Sequence, residues 1–205
     1  MGKIKILAAA FLLLSVTGFP QSTKRQSSSH TQIIKLGINT FFDYDEFPFS
    51  ISWEKKVATN QSIQIGFLPR FRTTDGDKTN GVGFNIAYRK YISKNRTGIN
   101  GLFISPIAKV GFLKESSSYS YNNYGTPPQI VAVKYEDNTT QYSVGLVFGH
   151  NWVYKSGFSF ELSAGMAYYN NTDKNTNTNN NVVYKNNYQS AGILPQFQCS
   201  IGYAF

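Results

Sequence analysis

Three scarcities frame this chain. Its 205 residues hold one cysteine, Cys199, and two histidines, His30 and His150, and only 15% of its residues are charged. One cysteine excludes an intrachain disulfide, so an oxidising compartment is not used for staples. A soluble exported domain carries about 25% charged residues; here Asn, Ser, Thr and Gly stand in their place. A long apolar run is missing too. The run from Ile6 to Val16 is too short to cross a bilayer as a helix, and no other stretch of helix-spanning length exists.

The N-terminus explains that short run. Lys3 and Lys5 precede it and Thr17-Gly18 follow it, the pattern of a secretory signal peptide. Residues 1–18 are expected to be the signal, with Ser22 a second cleavage position. Residues 19–32 are expected to be a flexible polar lead-in, and 33–205 the folded domain. Cleavage takes the net charge from +9 to about +7, because Lys3 and Lys5 leave with the signal. Export excludes nucleic acid as a partner, and no basic run interleaves with aromatics as a binding groove would.

What is present is alternation. In the last segment Ile193, Pro195, Phe197, Cys199, Ile201, Tyr203 and Phe205 alternate with Leu194, Gln196, Gln198, Ser200, Gly202 and Ala204. Phe158, Phe160, Leu162, Ala164, Met166 and Tyr168 repeat the pattern, as do Tyr142, Val144, Leu146, Phe148 and Trp152. A period of two marks strands with one apolar face. Eight strands are predicted, over about 34–43, 48–57, 62–72, 82–92, 101–113, 140–152, 157–169 and 193–205. A tilted strand crosses a bilayer in about 9–11 residues, longer than the usual globular strand of about 5–6.

The connections fall into two sets. Residues 58–61, 93–100 and 153–157 are short turns, whereas 73–81, 114–139 and 170–188 are expected as loops and only 43–47 is short in that set. Short turns at one end and long loops at the other is the asymmetry of outer-membrane barrels. The fold class expected is therefore all-β: an eight-stranded, antiparallel, up-and-down transmembrane β-barrel in the cell outer membrane, with both termini periplasmic. The face opposite the apolar one is rich in Gly, Ser, Ala, Asn and Gln, which suits a narrow barrel interior better than a watered exterior. Phe42, Phe49 and Phe71 at the loop end, and Trp152, Phe158, Tyr203 and Phe205 at the turn end, are expected to form two interfacial girdles.

On the polar face parity places Glu54, Lys56, Arg70, Arg72, Arg89, Lys109 and Glu161. Enclosed charges must pair, so Glu54, Arg70, Arg89, Lys109 and Glu161 are expected to form a structural lumen network rather than an ion path. Glu54 and Glu161 as an acid/base pair is the weaker alternative, since neighbouring cations hold both ionised. His150 falls on the lipid-facing parity beside Trp152, and no Gly-X-Ser-X-Gly motif occurs, so a nucleophilic serine site is not expected. Lys55 and Lys90 share that parity near short turns and are expected to snorkel to the interface. The acidic stretches 43–46 and 75–77 are read as solvated turns rather than Ca²⁺ sites. No metal and no cofactor are expected.

The segments between strands carry the remaining signal. Residues 170–187 hold nine Asn and three Thr, too polar for a core. Residues 114–139 contain Tyr119, Tyr121, Tyr124 and Tyr135, a Tyr-, Ser- and Asn-rich composition suited to recognition. Cations near the outer rim are expected to neutralise lipopolysaccharide phosphates.

Residues 88–91 (Tyr-Arg-Lys-Tyr), 101–106 (Gly-Leu-Phe-Ile-Ser-Pro), 145–152 (Gly-Leu-Val-Phe-Gly-His-Asn-Trp) and 155–158 (Lys-Ser-Gly-Phe) give the chain a resemblance. It is similar, over roughly Phe49 to Phe205 without the loops, to a bacterial family of small outer-membrane β-barrel proteins of unknown function. The resemblance implies outer-membrane residence and no established activity. Ile201, Tyr203 and Phe205 look like the C-terminal signal read by the barrel-assembly machinery. The functional expectation is a non-enzymatic, porin-like integral outer-membrane protein, either structural or presenting surface loops for recognition. A lipid-modifying enzyme, a narrow transport pore and a soluble lipocalin-like binder are the alternatives.

Overall fold

A computed structural model describes residues 30–41, 48–74, 77–92, 99–123, 129–179 and 182–205. The signal and nearly all of the lead-in lie outside these residues. Eight strands follow one another: β1 (Gln32–Phe41), β2 (Phe49–Ala58), β3 (Gln61–Thr74), β4 (Asp77–Tyr91), β5 (Gly101–Asn123), β6 (Gln129–Val153), β7 (Phe158–Asn179) and β8 (Val182–Ala204). Each pairs antiparallel with the next, and β1 pairs with β8, so the sheet is a closed barrel in sequence order. Closure leaves no backbone edge unpaired between the first and last strands, from Ile33↔Ala204 to Phe41↔Gln196.

Alternation sorts the side chains as a two-residue period requires. On β1, Ile34, Leu36 and Ile38 point outward and are exposed, while Ile33, Lys35 and Asn39 are buried inside. On β4, Phe84, Ile86 and Tyr88 point out, and Asn85, Ala87, Arg89 and Tyr91 point in. The interior is largely polar, with Ser50, Ser52, Gln64, Ser105, Ser163 and Ser200 buried. An apolar-lined cavity of the lipocalin kind is therefore not what the interior offers. Its larger apolar cluster sits at the short-turn end, where Ile33, Tyr91, Ile99, Phe103, Val153 and Ala204 pack as a floor. Gly149 makes room for that floor: a Cβ there would lie 2.5 Å from Cζ of Phe103.

Three expected loops are corrected. The segment 73–81 is strand on both sides of residues 75–76, because β3 runs to Thr74 and β4 starts at Asp77. The segment 114–139 is mostly a paired hairpin, with β5 and β6 in register out to Asn123↔Gln129. The segment 170–188 is likewise strand on both sides of residues 180–181, with β7 and β8 paired out to Asn179↔Val182. The physical reason is that strand pairing needs only backbone hydrogen bonds, whereas period-two patterning needs one apolar face. Where both faces meet water the pairing continues and the pattern stops. β1 also begins one residue before the expected domain boundary.

Strand length divides the barrel. β1 to β4 have 10, 10, 14 and 15 residues, and β5 to β8 have 23, 25, 22 and 23. At about 3.3 Å per residue the longest strand extends for roughly 80 Å. The outward apolar belt of the described side chains covers the half nearer the short turns, and β5 to β8 continue beyond it.

Candidate functional site

The interior just above the floor holds four charges from four strands: Lys35 on β1, Glu54 on β2, Arg89 on β4 and Glu161 on β7. All are buried. Lys35 Nζ lies 2.5 Å from Oε2 of both Glu54 and Glu161. Arg89 donates to Glu161 through Nη1 at 2.6 Å and Nη2 at 2.8 Å, and through Nη1 to Glu54 at 3.1 Å. Ser62 and Tyr91 donate to Glu54 Oε1, the tyrosine at 2.6 Å. The guanidinium also stacks 4.4 Å over the Phe103 ring. Two cations and two carboxylates cancel, which is the condition for burying charge at tolerable cost. Both carboxylates are gripped by cations, a geometry for pairing rather than for a general acid.

Of the expected lumen residues, Glu54, Arg89 and Glu161 meet here, while Arg70 and Lys109 do not join them. Lys109 lines a small enclosed cavity of about 20 Å³ further along the interior, with Asn39, Gln64, Asn85, Gln196 and Gln198. Buried amide atoms of these five have no protein hydrogen-bond partner, and the space is enough for about one water. Lys56 and Arg72 also stand apart from the quartet, near opposite ends of the wall. Sequence reasoning missed Lys35, though its signal was present: it sits between Ile34 and Leu36, and parity alone turns it inward. Tyr91 was missed for the same reason, two places on from Arg89.

The far end of the interior wall is built from the extended strands. Tyr135 of β6 and Tyr184 and Tyr188 of β8 turn to this inner side with Asn175 and Asn186, around an open cavity of about 330 Å³. Glu115, Asp137 and Asp173 share that side, since Glu115 pairs with Asp137 and Asp137 with Asn175. In the amide orientation that satisfies its neighbours, Asn175 donates to Asp137 at 2.6 and 2.8 Å and accepts from the Tyr135 hydroxyl at 3.0 Å. Partial burial, then the charges of Asp173 and Glu115, push the Asp137 carboxyl above the usual range. Burial and then Asp137 raise the Tyr135 phenol. Of the expected recognition residues, only Tyr135 has a described side chain; Tyr119 and Tyr121 lie on the far part of β5, and Tyr124 lies outside the described residues. Tyr184 and Tyr188 were missed because the segment was read as loop.

The outer side of the same strands carries the opposite charge. Lys114 and Lys134 point outward and flank Glu136, at 3.6 and 2.7 Å. The hydrogen bond from Lys134, then the Lys114 and Lys134 charges, hold Glu136 below the usual carboxylate range. Consecutive pairs do the sorting: Lys114 faces out and Glu115 in, Lys174 out and Asp173 in.

At the short-turn end His150, Trp152 and Phe160 form an outward aromatic stack, with ring centroids 4.2 and 5.5 Å apart. Phe158, Tyr203 and Phe205 are exposed beside it, as is Ile201, and Phe49 and Phe71 are exposed at the other end. Phe42 lies outside the described residues, as do the acidic stretch 43–46 and Asp75. Among the described residues no cluster of ligating side chains has the grouping a metal ion requires.

No protein-family model and no curated relative matches the chain. The resemblance to a family of unknown function thus stands on the quoted residues alone. Among solved structures, the chain is similar to a major outer membrane protein from Thermus thermophilus, at 13% identity, with 86% of this chain and 100% of that one covered and a TM-score of 0.45. It is also similar to the beta domain of the Bordetella autotransporter BrkA, at 11% identity, with 86% and 99% covered and a TM-score of 0.26. At such scores the functional reading rests on this chain's own geometry.

Proposed function

We propose that this protein is a non-enzymatic integral outer-membrane barrel, with both termini periplasmic, whose extended hairpin end is a recognition surface. One observation carries the membrane assignment. The closed barrel exposes Ile34, Ile65, Ile86, Val144, Leu146 and Phe148 while burying four charges, the reverse of a water-soluble protein. Exposed apolar surface on that scale is stable only against lipid. The short-turn end, with its Trp–His–Phe stack, then lies at the periplasmic interface. His150 serves there as an anchor beside Trp152 rather than as a base.

The interior favours a sealed barrel over a pore, since the apolar floor and the ion quartet fill the same short stretch of lumen. The recognition role follows from the tyrosine- and asparagine-lined cavity, because such side chains give large contact area and adaptable hydrogen bonds at low entropic cost. Lipopolysaccharide is the expected neighbour of the outward lysines, and the exposure of Ile201 and Tyr203 on β8, and of Phe205 just past its end, supports reading them as the signal for the assembly machinery.

The test has three parts. Protein from an outer-membrane fraction should shift its gel mobility on boiling. Protease added to intact cells should cut within 114–139 or 170–188. Planar bilayers containing the protein should show no steady conductance. An unshifted, soluble periplasmic protein overturns the membrane reading, and sustained channel currents overturn the sealed one.

A further inference from the structure

We propose that the outer face of β3 to β7 carries a docking groove for a phosphorylated glycolipid of the outer leaflet, an inference that rests on the membrane reading above. The groove is an open cavity of about 430 Å³ on the outside of the wall, lined on that side by Phe71, Asn80, Val82, Phe112, Lys114 and Thr140. Its position along the strands is what assigns the ligand. Phe67, Phe84, Val110 and Tyr142 form one outward register row across β3 to β6, three apolar side chains and a tyrosine, with Asn170 next in line on β7. One outward step further, Val82, Phe112 and Thr140 are paired in line. The next row is Phe71, Asn80, Lys114, Asn138 and Lys174, and there the wall turns polar and cationic.

The groove thus crosses the line where acyl chain gives way to headgroup. Val82 and Phe112 offer an apolar seat continuous with the lipid-facing belt, and Phe71 is among the most exposed apolar side chains of the barrel. Asn80, Asn138 and Thr140 offer the amide and hydroxyl partners that sugar hydroxyls need. Lys114 and Lys174, one strand either side of Asn138, supply two cations for phosphates. Charge complementarity holds across the whole outer side: Lys78, Lys114, Lys134 and Lys174 face outward against Glu136, while Glu115, Asp137 and Asp173 are turned inward by strand parity. A headgroup phosphate near Lys114 would share that cation with Glu136. A phosphorylated glycolipid satisfies the seat, the amides and the cations together, where a zwitterionic phospholipid offers the acyl chains and one phosphate whose charge its own ammonium already balances.

The experiment is native mass spectrometry of the folded barrel in detergent, titrated separately with lipid A, dephosphorylated lipid A, phosphatidylglycerol and phosphatidylcholine. Lipid A should bind most tightly. The Lys114→Gln/Lys174→Gln double variant should lose roughly thirtyfold of the preference over the dephosphorylated form, the factor two lysines near an anionic headgroup supply. Phe112→Ala should weaken both forms alike, and Lys155→Gln at the opposite end should change neither. Equal affinity for lipid A and its dephosphorylated form, or a preference unmoved by the double variant, overturns the groove. Phosphatidylglycerol binding as tightly as lipid A overturns the glycolipid assignment. A protein that folds without detergent and takes up no lipid of any kind fails the membrane reading instead.

Discussion

Arg89 and Glu161 clasp one another across the lumen, through two parallel N–H···O contacts of 2.6 and 2.8 Å, from strands that are not neighbours in the sheet. The pair therefore ties opposite walls of the barrel. Closure of the ring and filling of its interior are one structural event here, because Lys35 on β1 reaches the same glutamate from beside the β1–β8 seam.

Removing one partner of a buried pair leaves its counter-charge stranded, at a cost of about 3–5 kcal/mol. Arg89→Ala should lower stability by that order, read as a drop in the urea midpoint of refolding into detergent micelles. Arg89→Lys should recover only part of it, since an ammonium cannot make the two-pronged contact. A wild-type midpoint for Arg89→Ala would show that the clasp contributes nothing.

Ile86 is half exposed, at 54%, and on a soluble protein its replacement by arginine would change stability little. Facing lipid, Ile86→Arg should cost about 2–4 kcal/mol. The same midpoint measurement decides, with Lys55→Arg near the short turns as a control expected to be silent.

Gly157 holds φ at +89° in the β6–β7 turn, and a Cβ there would lie 2.7 Å from the Ala204 carbonyl oxygen and 2.8 Å from the Tyr203 ring. Gly157→Ala should therefore destabilise by about 1–3 kcal/mol. Because its strain falls on the C-terminal strand, it should also slow the appearance of the fast-migrating folded band. Unaltered stability and folding rate would show that the turn relaxes freely.

The Asp137 carboxyl is raised by burial and by Asp173 and Glu115, which fixes a sign. A raised folded-state pKa means the unfolded hairpin gives up its proton first. The stabilisation is complete below the ordinary carboxylate range and is lost as pH rises through the elevated value. Glu136, held low by Lys134 and Lys114, contributes the opposite slope, so the Asp137 part is read by difference. Amide exchange at the tips of β6 and β7, corrected for intrinsic rates, should lose more protection between about pH 4 and pH 7 in the wild type than in Asp137→Asn. The same pH dependence in both proteins would refute it.

How far the sequence could be read depended on whether one face of a strand was apolar. Val144, Leu146 and Phe148 against Ser143 and Gly145 declare both the strand and its outward side. Asn171 to Asn179 declare neither, although the same backbone pairing continues through them. Of the buried quartet, Glu54, Arg89 and Glu161 followed from parity, whereas Lys35 reads as a lone charge between two apolar neighbours until the ring is closed. Tyr184 and Tyr188 needed the register itself, since only pairing with Asn177 and Asp173 shows which way they turn.

The unequal strands have an architectural consequence. The four long strands are consecutive around the ring, so what rises past the apolar belt is a curved screen shielding one flank. Its hollow side is tyrosine and carboxylate, its back is lysine, and the shorter strands β1 to β4 complete the ring on the other flank. A molecule approaching over the shorter strands reaches the tyrosine side first, whereas one arriving from behind meets lysines. Direction of approach, as much as affinity, becomes a property of the fold.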